Sequence, residues 1–533
     1  MRIVLIGDIG WTNFYHLGDE AMTEFALEAL HARGASHVTL IAGNPSHAAE
    51  LYGVDTLPRI GFTPGRPANR RRRDQVLATA SGATDALPAH DPAHAIITAV
   101  RDADAVLIAG GGNLNSMFAH HLYERSTLAA LARLFGKPYA LTSQTVGPLV
   151  YDDDRDLLDE LFTHAQLVGC REAHTLALVA DLTAGRARTA PQMDDAYSLA
   201  AGPDDHRAVE AYAREPFILA SFAERGSSPT LTDHRYRTTL IDATREIADR
   251  TGMPVLLAPH GGALPPAPET RDQHTDRVIA EAVSRPGVTP LPMLTARQVV
   301  ALTSAASAVF GTRYHAGIFA AAAGVPSVSL APNLYSSVRM RGAAANVGMQ
   351  EFVLPFHAPA RIVNTVVGAA DDTETRSALT RTASVRHVEH RAWWDFVIAS
   401  MMEAPTHTDT EDSTAPAHMA APVIANRHID DVEVAHAQLD TVEDVGRVSA
   451  QYDRRAVLAD RDRHILRARV EELEAHKARL LPEKSEAPSA LEQRVTDLER
   501  QTARLRTLSA QLGKVERTVS RAARSTLRRV LAR

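Results

Sequence analysis

A chain of 533 residues with one cysteine, Cys170, cannot close an intramolecular disulfide, which suits a reducing compartment. Its 24 histidines are scattered, and no cysteine or histidine spacing of the metal-binding kind occurs, so no metal is expected. No apolar run is long enough to span a bilayer. The opening MRIVLIG is too short for the apolar region of a secretory signal and reads instead as a first buried strand. A surplus of positive charge is lacking too: the net charge of −7 argues against a general nucleic-acid-binding surface. These absences lead to the expectation of a cytoplasmic globular protein with no nucleic-acid partner.

What is present is ordinary for soluble α/β protein, with 45% hydrophobic and 23% charged residues, in a chain too long for one domain. Apolar runs at RIVLIG (2–7), HVTLIAG (37–43), DAVLIAGGG (104–112), YALTSQ (139–144) and QLVGC (166–170) have the character of strands covered on both faces. Helical spacing fills the intervals near 119–135, 152–164 and 172–182. Alternation of this kind predicts a doubly wound parallel sheet. The segment from about 62 to 95, which carries Arg70 to Arg73, breaks the rhythm and reads as a solvated or disordered surface insertion. A second alternating set runs from FILASF (217–222) through PVLLAPH (254–260), SAVFGTR and PSVSLA (326–331), with closing helices near 336–347, 358–369 and 375–403. Trp393 and Trp394 are placed to pin the last of these against a domain face. The predicted architecture is two Rossmann-like domains, 1–205 and 206–403, with a ligand cleft between the carboxyl ends of their sheets.

Residues 404–447 turn to Thr, Asp, Ala, Pro and His and read as a flexible linker. Residues 448–533 place Leu466, Val470, Leu473 and Leu480, then Leu491, Val495, Leu498, Leu505, Leu512 and Val519, at the spacing of a coiled coil, and hence of a homo-oligomer. The last twenty residues are basic, with Arg517, Arg521, Arg524, Arg528 and Arg529 around a small apolar face. That end is either a charged coiled-coil terminus or a helix lying peripherally on the anionic inner face of a membrane.

Four loops at predicted strand ends, and one helix start, collect the residues that can do chemistry. In GTRYHAGIFAAAAGVP (311–326), Arg313 and His315 open a helix. Free N–H groups there attract anions, an arginine adds a planar charged fork, and a histidine can move a proton near neutral pH. Alternatively, both residues merely cap and solubilise an Ala-rich helix. Gly110, Gly111, Gly112 and Asn113 follow a strand and allow a ligand close to the backbone. Asp19 and Glu20 at a helix start either complement its dipole or hold sugar hydroxyls. Arg171 stands beside Glu172, and either pairs with it or binds a ligand. Asp194 and Asp195 form a solvated turn, or orient an arginine or a substrate hydroxyl. His260, in PHGG, faces the same cleft if the preceding strand is correctly read.

The ordered set LGDEAM, IAGGGNL, SQTVGPL, GCREAHT, DDAYSL, APHGG, GTRYHAGIFAAAAGVP and RMRG resembles the polysaccharide pyruvyl transferase family over roughly residues 1–355. The resemblance implies a GT-B-like arrangement of the two domains, phosphoenolpyruvate as donor substrate, no cofactor, and a ketal-linked pyruvate placed on a cell-surface glycan or its lipid-linked precursor. It implies His315 and Arg313 as catalytic residues and Arg171 and Arg313 as donor-binding ones. The residue chemistry adds Arg339, Gly111, Gly112 and Asn113 on the donor side, and Asp19, Glu20 and His260 on the acceptor side. Two positions depart from the family pattern: His16 stands where asparagine is usual, and Arg339 where lysine is. Other readings of the same architecture are a nucleotide-sugar glycosyltransferase and a non-catalytic envelope-assembly scaffold built on the C-terminal helices.

Overall fold

RIVLI at residues 2–6 becomes the middle of a parallel sheet, because four of its five side chains are buried and both of its edges pair with other strands. The computed structural model describes residues 1–402 except 227, 229, 230 and 357, then 418, 420–451, 453–454 and scattered positions from 496 to 507. Residues 1–440 form one compact unit and those from 441 onward another. The expected coiled coil and basic C-terminal helix fall almost wholly outside the described residues.

Within residues 1–440 there are two parallel sheets. The first runs Asp55–Pro58, His37–Ala42, Arg2–Ile6, Ala105–Ile108, Tyr139–Val146, Leu167–Cys170 and Thr189–Pro191, with Gly111–Leu114 also pairing with Tyr139–Val146. The second runs Val288–Pro290, Val255–Leu257, Ile218–Ser221, Ala308–Gly311, Ser327–Ala331 and Val353–Pro355. Helices between the strands cover both faces, which is why the strand sequences are continuously apolar. A third pairing joins the halves: Tyr15–His16 lies antiparallel to Gly261–Gly262, and the Leu17 N–H donates to the His260 carbonyl at 3.0 Å.

Two expectations need correction. The 62–95 segment is no disordered insertion: Arg66–Ala80 is a helix with Val76 buried. Arg66 pairs with Asp154, Arg72 with Asp91 and Arg73 with Glu160, so partners distant in sequence hold half of a charge run that read as solvated, while Arg70 and Arg71 are exposed. The expected linker is also packed over its later part. Asn426 donates to the Glu351 carbonyl, Arg361 pairs with Asp431, and Ile429, Ala435 and Leu439 join the core of the second half.

The Thr373–Met402 helix returns from the second half to the first. Trp393, Trp394, Val397 and Met401 are buried with Ile3, Leu5, Ala105 and Leu107 in one apolar cluster. Trp394 Nε1 donates to Asp195 Oδ1 at 3.0 Å, and His390 Nε2 lies 3.1 Å from the same oxygen. Asp195 is therefore an anchor for this helix. Trp394→Ala is expected to cost about 3–5 kcal/mol, read as a lowered denaturant midpoint in chemical unfolding; an unchanged midpoint would show that the helix is held elsewhere.

Candidate functional site

Each sheet begins in its own middle, winds to one edge, then jumps to the other side. In the first sheet the jump separates Arg2–Ile6 from Ala105–Ile108, and in the second Ile218–Ser221 from Ala308–Gly311. Crevices at the carboxyl ends of such switch points are where open α/β sheets hold ligands. Asp8 and Gly110 to Asn113 follow the two switch strands of the first sheet. Thr312 to His315 follow one in the second.

The Tyr314–Ala322 helix starts where Gly311 crosses the Ser221 carbonyl, so closely that any Cβ would fall inside that group. Thr312 N–H donates to the same carbonyl at 3.0 Å, and Thr312 Oγ1 accepts the Ala223 N–H at 2.8 Å. Arg313 thus leaves the backbone in a fixed direction. Its Nε donates to Asp272 Oδ2 at 2.7 Å while Nη2 bonds Oδ1, a bidentate pair on a carboxylate that is fully buried. The Asp272 carboxylate also receives the His260 N–H at 3.3 Å. Asp276, one turn further along the same helix, has both oxygens buried without a partner. Burial and the neighbouring Asp272 push its pKa well up, which favours its protonated form.

His315 points to the first half. Its ring lies against Gly18 so tightly that a Cβ there would enter the imidazole, and its Nε2 is 3.6 Å from Asp194 Oδ2. Burial lowers the His315 pKa below its usual 6.5, with Asp194 pulling the other way. The ring is therefore neutral at pH 7. Asp194 in turn receives Arg171 Nη1 at 2.5 Å. Arg171, 1% exposed, also donates through Nε to Thr145 Oγ1 at 2.7 Å and Glu172 Oε1 at 3.1 Å. The Arg171 guanidinium stands 4.6 Å from the Tyr314 ring centre, and that of Arg339 stands 4.4 Å from it. Cations from the two halves thus share one aromatic ring. Tyr335 receives Arg339 on its ring at 4.4 Å and donates its hydroxyl to the Gly112 carbonyl at 2.5 Å. A Cβ on Gly112 would collide with Tyr335 Oη and Arg339 Nη1 and would touch Arg171 Nη2. Glycine here admits two guanidiniums to the backbone.

Of the sequence-derived candidates, Arg171, Arg339, Gly112 and His315 are thus brought together, with Asp194 among them. Arg313 and His260 meet at the Asp272 carboxylate, and burial, then the Arg313 charge, lowers the His260 pKa. Gly111 pairs with Gln144 in the first sheet, and Asn113 Oδ1 is buried with no partner. Asp19 is joined to His16 by a short ion pair, and this pair raises the His16 pKa against burial. Glu20 stands apart: Gly10 N–H reaches one of its oxygens at 3.0 Å and the Tyr52 hydroxyl the other, so it braces loops inside the first half. Asp272, Asp276, Tyr314 and Tyr335 were not among the sequence candidates. Asp272 lies 41 residues from its arginine, a separation that no local pattern encodes.

Asp8, His16 and Asp19 present ligand atoms within 4.8 Å of one another and are the one such group among the described residues. Arg59 already donates to Asp8 at 2.7 Å, and the charge of Arg125 acts on Asp8 as well. A cation would compete with both, and the set reads as an ion-pair network.

Compared with known proteins, the chain matches a family model described as polysaccharide pyruvyl transferase over residues 16–333. No curated protein sequence matches it closely. A putative UDP-N-acetylglucosamine 2-epimerase from Listeria monocytogenes has a similar fold, with a TM-score of 0.51 at 12% identity over 80% of this chain and 99% of that one. Sucrose-phosphate synthase from Thermosynechococcus elongatus gives 0.48 at 14% identity over 75% and 97%. UDP-GlcNAc 2-epimerase from Neisseria meningitidis, bound to UDP-GlcNAc, gives 0.48 at 9% over 75% and 100%. The fold is a pair of Rossmann-like sheets in the GT-B-like arrangement.

Burial raises the Glu20 pKa to about 8, so the folded protein holds a proton that the unfolded chain releases near pH 4.5. Stability then falls as pH rises from about 4.5 to about 8. Glu20→Gln is expected to flatten that slope in denaturant unfolding measured across this range; an unaltered slope would assign it to other groups.

Proposed function

The chain belongs to the polysaccharide pyruvyl transferase family, and from that premise we propose that it moves the pyruvyl group of phosphoenolpyruvate onto two hydroxyls of a glycan or lipid-linked sugar, forming a ketal. The observation that carries this reading is the grouping of Arg171, Arg339 and Arg313 around one helix start that also bears His315. Phosphoenolpyruvate has a phosphate and a carboxylate, and several fixed cations are what such a donor requires. Arg339 keeps a buried Nε without a partner, and Arg313 is aimed by its fork on Asp272. Arg171 has its charge occupied by Asp194 and Glu172. Its contribution to the donor comes through Nη2 beside Gly112 and through the acid that it fixes next to His315.

In the reaction the methylene carbon of the donor takes a proton, the adjacent carbon becomes electrophilic, and a first sugar hydroxyl adds to it. Phosphate then leaves and a second hydroxyl closes the ring. Of the two protons that the hydroxyls give up, one ends in the new methyl group and one leaves with phosphate. His315 is the group assigned to this transfer. Its neutral state in the free protein means that a dianion bound beside it draws a proton onto the ring, so donor binding is coupled to proton uptake. Asp19 and His260 are the acceptor-side groups in this reading, and Glu20, next to Asp19 in the Leu17–Ala32 helix, fixes that helix start to Gly10 and Tyr52.

Arg313→Ala should weaken phosphoenolpyruvate binding at least tenfold by calorimetry, whereas His315→Gln should bind the donor and release no phosphate from it. Binding to the native protein should tighten as pH falls through neutrality, and His315→Gln should lose the part of that dependence that donor ionisation does not supply. A His315→Gln protein with native turnover, or an Arg313→Ala protein with native affinity, would overturn the assignment.

A further inference from the structure

The switch point of the first sheet carries a second group of charges that the donor does not use. Asp8 follows the Arg2–Ile6 strand, Arg59 follows Asp55–Pro58, and His121 and Arg125 lie one turn apart near the start of the Ala119–Leu134 helix. Their bonds run in sequence. Arg125 Nη1 donates to His121 Nδ1 at 3.2 Å, His121 Nε2 is 3.3 Å from Asp8 Oδ2, and Arg59 Nη2 donates to Asp8 Oδ1 at 2.7 Å and to the Gly7 carbonyl at 2.8 Å. Burial and the adjacent Arg125 hold the His121 pKa far below its usual value, so the ring is neutral, accepts from Arg125 at one nitrogen and donates to Asp8 from the other. Glu124 is turned to the Ile60 N–H at 2.7 Å, and Asp19 is held by His16.

The charges of Asp8, Glu124 and Asp19 act on Arg125, but one edge of its guanidinium makes no hydrogen bond. It is fully buried, and neither its Nε nor its Nη2 has a hydrogen-bond partner; Arg59 Nε is likewise unpartnered. Burial and Arg59 lower the Arg125 pKa only to about 10, so it stays a cation. The Nε and Nη2 edge presents two parallel N–H groups, the fork that matches two oxygens of a carboxylate or phosphate. A buried guanidinium with that edge empty is costly to the fold. Beside it, Trp11 is 39% exposed, donates Nε1–H to Asp8 at 3.3 Å and has Arg59 5.4 Å from its ring centre. This is an apolar face of the kind on which a sugar ring rests. The group also adjoins the reacting end of the cleft: Gly18 packs on His315, and the charge of Asp19, the next residue, acts on Arg125.

We propose that Arg125 and Arg59 form an oxyanion subsite for the acceptor, so that the sugar to be modified carries a phosphate, diphosphate or carboxylate group bound there while Trp11 supports its ring. The identity of the ligand as an acceptor rests on the reaction assigned above; the subsite itself rests on the unpaired guanidinium edge. Its test is calorimetry on the full chain with inorganic pyrophosphate and with glucuronate, phosphoenolpyruvate being titrated in parallel, for the native protein, Arg125→Met and Arg59→Gln. At least one of the two anions should bind the native protein, pyrophosphate indicating a phosphorylated or diphosphate-linked acceptor and glucuronate a uronic acid. Both variants should bind that anion at least tenfold more weakly and phosphoenolpyruvate within twofold of native. The thermal midpoint of Arg125→Met without ligand should equal or exceed the native one, because two buried nitrogens without hydrogen-bond partners have been replaced by an apolar side chain of similar length. The subsite is overturned if neither anion binds the native protein, if the variants bind it as the native protein does, or if Arg125→Met is less stable or fails to fold, since the guanidinium is then satisfied within the fold. Failure of the native protein to bind phosphoenolpyruvate would instead count against the donor assignment and leave the anion comparison intact.

Discussion

The Asp194 carboxylate is the contact through which the two halves act on the same chemistry. It takes Arg171 at 2.5 Å from the first half and faces His315, from the second, at 3.6 Å. All three are buried. Breaking the buried Arg171–Asp194 pair from the Asp194 side would leave Arg171 with Glu172 as its one remaining acid, a change of the kind that costs about 3–5 kcal/mol. The Asp194 pKa is held below the usual carboxylate range by Arg171 and His315, against burial. It therefore stays ionised and opposes the lowering of the His315 pKa by burial.

The same economy of charge recurs around the Tyr314–Ala322 helix start. Arg313 is aimed by Asp272, Arg171 by Asp194 and Glu172, and Arg339 by the faces of Tyr314 and Tyr335. Three cations can be brought to one region only where acids and aromatic rings screen them from each other, and glycine at 112 and 18 gives the close approaches that this requires. The ribbon between Tyr15–His16 and Gly261–Gly262 fixes the spacing of the halves at this point. In the reaction proposed here, a site assembled in this way would meet the anionic donor with its arginines already fixed, which is the condition under which electrostatic stabilisation acts most strongly.

Much of the fold could be read from the sequence because buried parallel strands are continuously apolar: RIVLI, AVLI and SVSLA announce themselves. Short edge strands such as Asp55–Pro58 and Thr189–Pro191 did not, since half-exposed edges lack that signature. Arg72 and Arg73, and the described residues from 420 to 440, were misread for one reason. Their order depends on Asp91, Glu160, Glu351 and Asp431, partners whose proximity is created by the fold and is invisible to composition. At the site, Arg313, His315 and Gly112 stood out by position after a strand. Asp272 and Arg125 did not, because an acid at a helix start and an arginine inside a helix are ordinary until their neighbours are known.

The most direct test of the central claim is a crystal structure of the protein with phosphoenolpyruvate bound. The account predicts the donor in the crevice between the two sheets, its phosphate and carboxylate oxygens within hydrogen-bond distance of Arg313 and Arg339, and its methylene carbon turned to the His315 imidazole. A donor bound on another surface, or in the crevice with its methylene carbon facing away from His315, would contradict it.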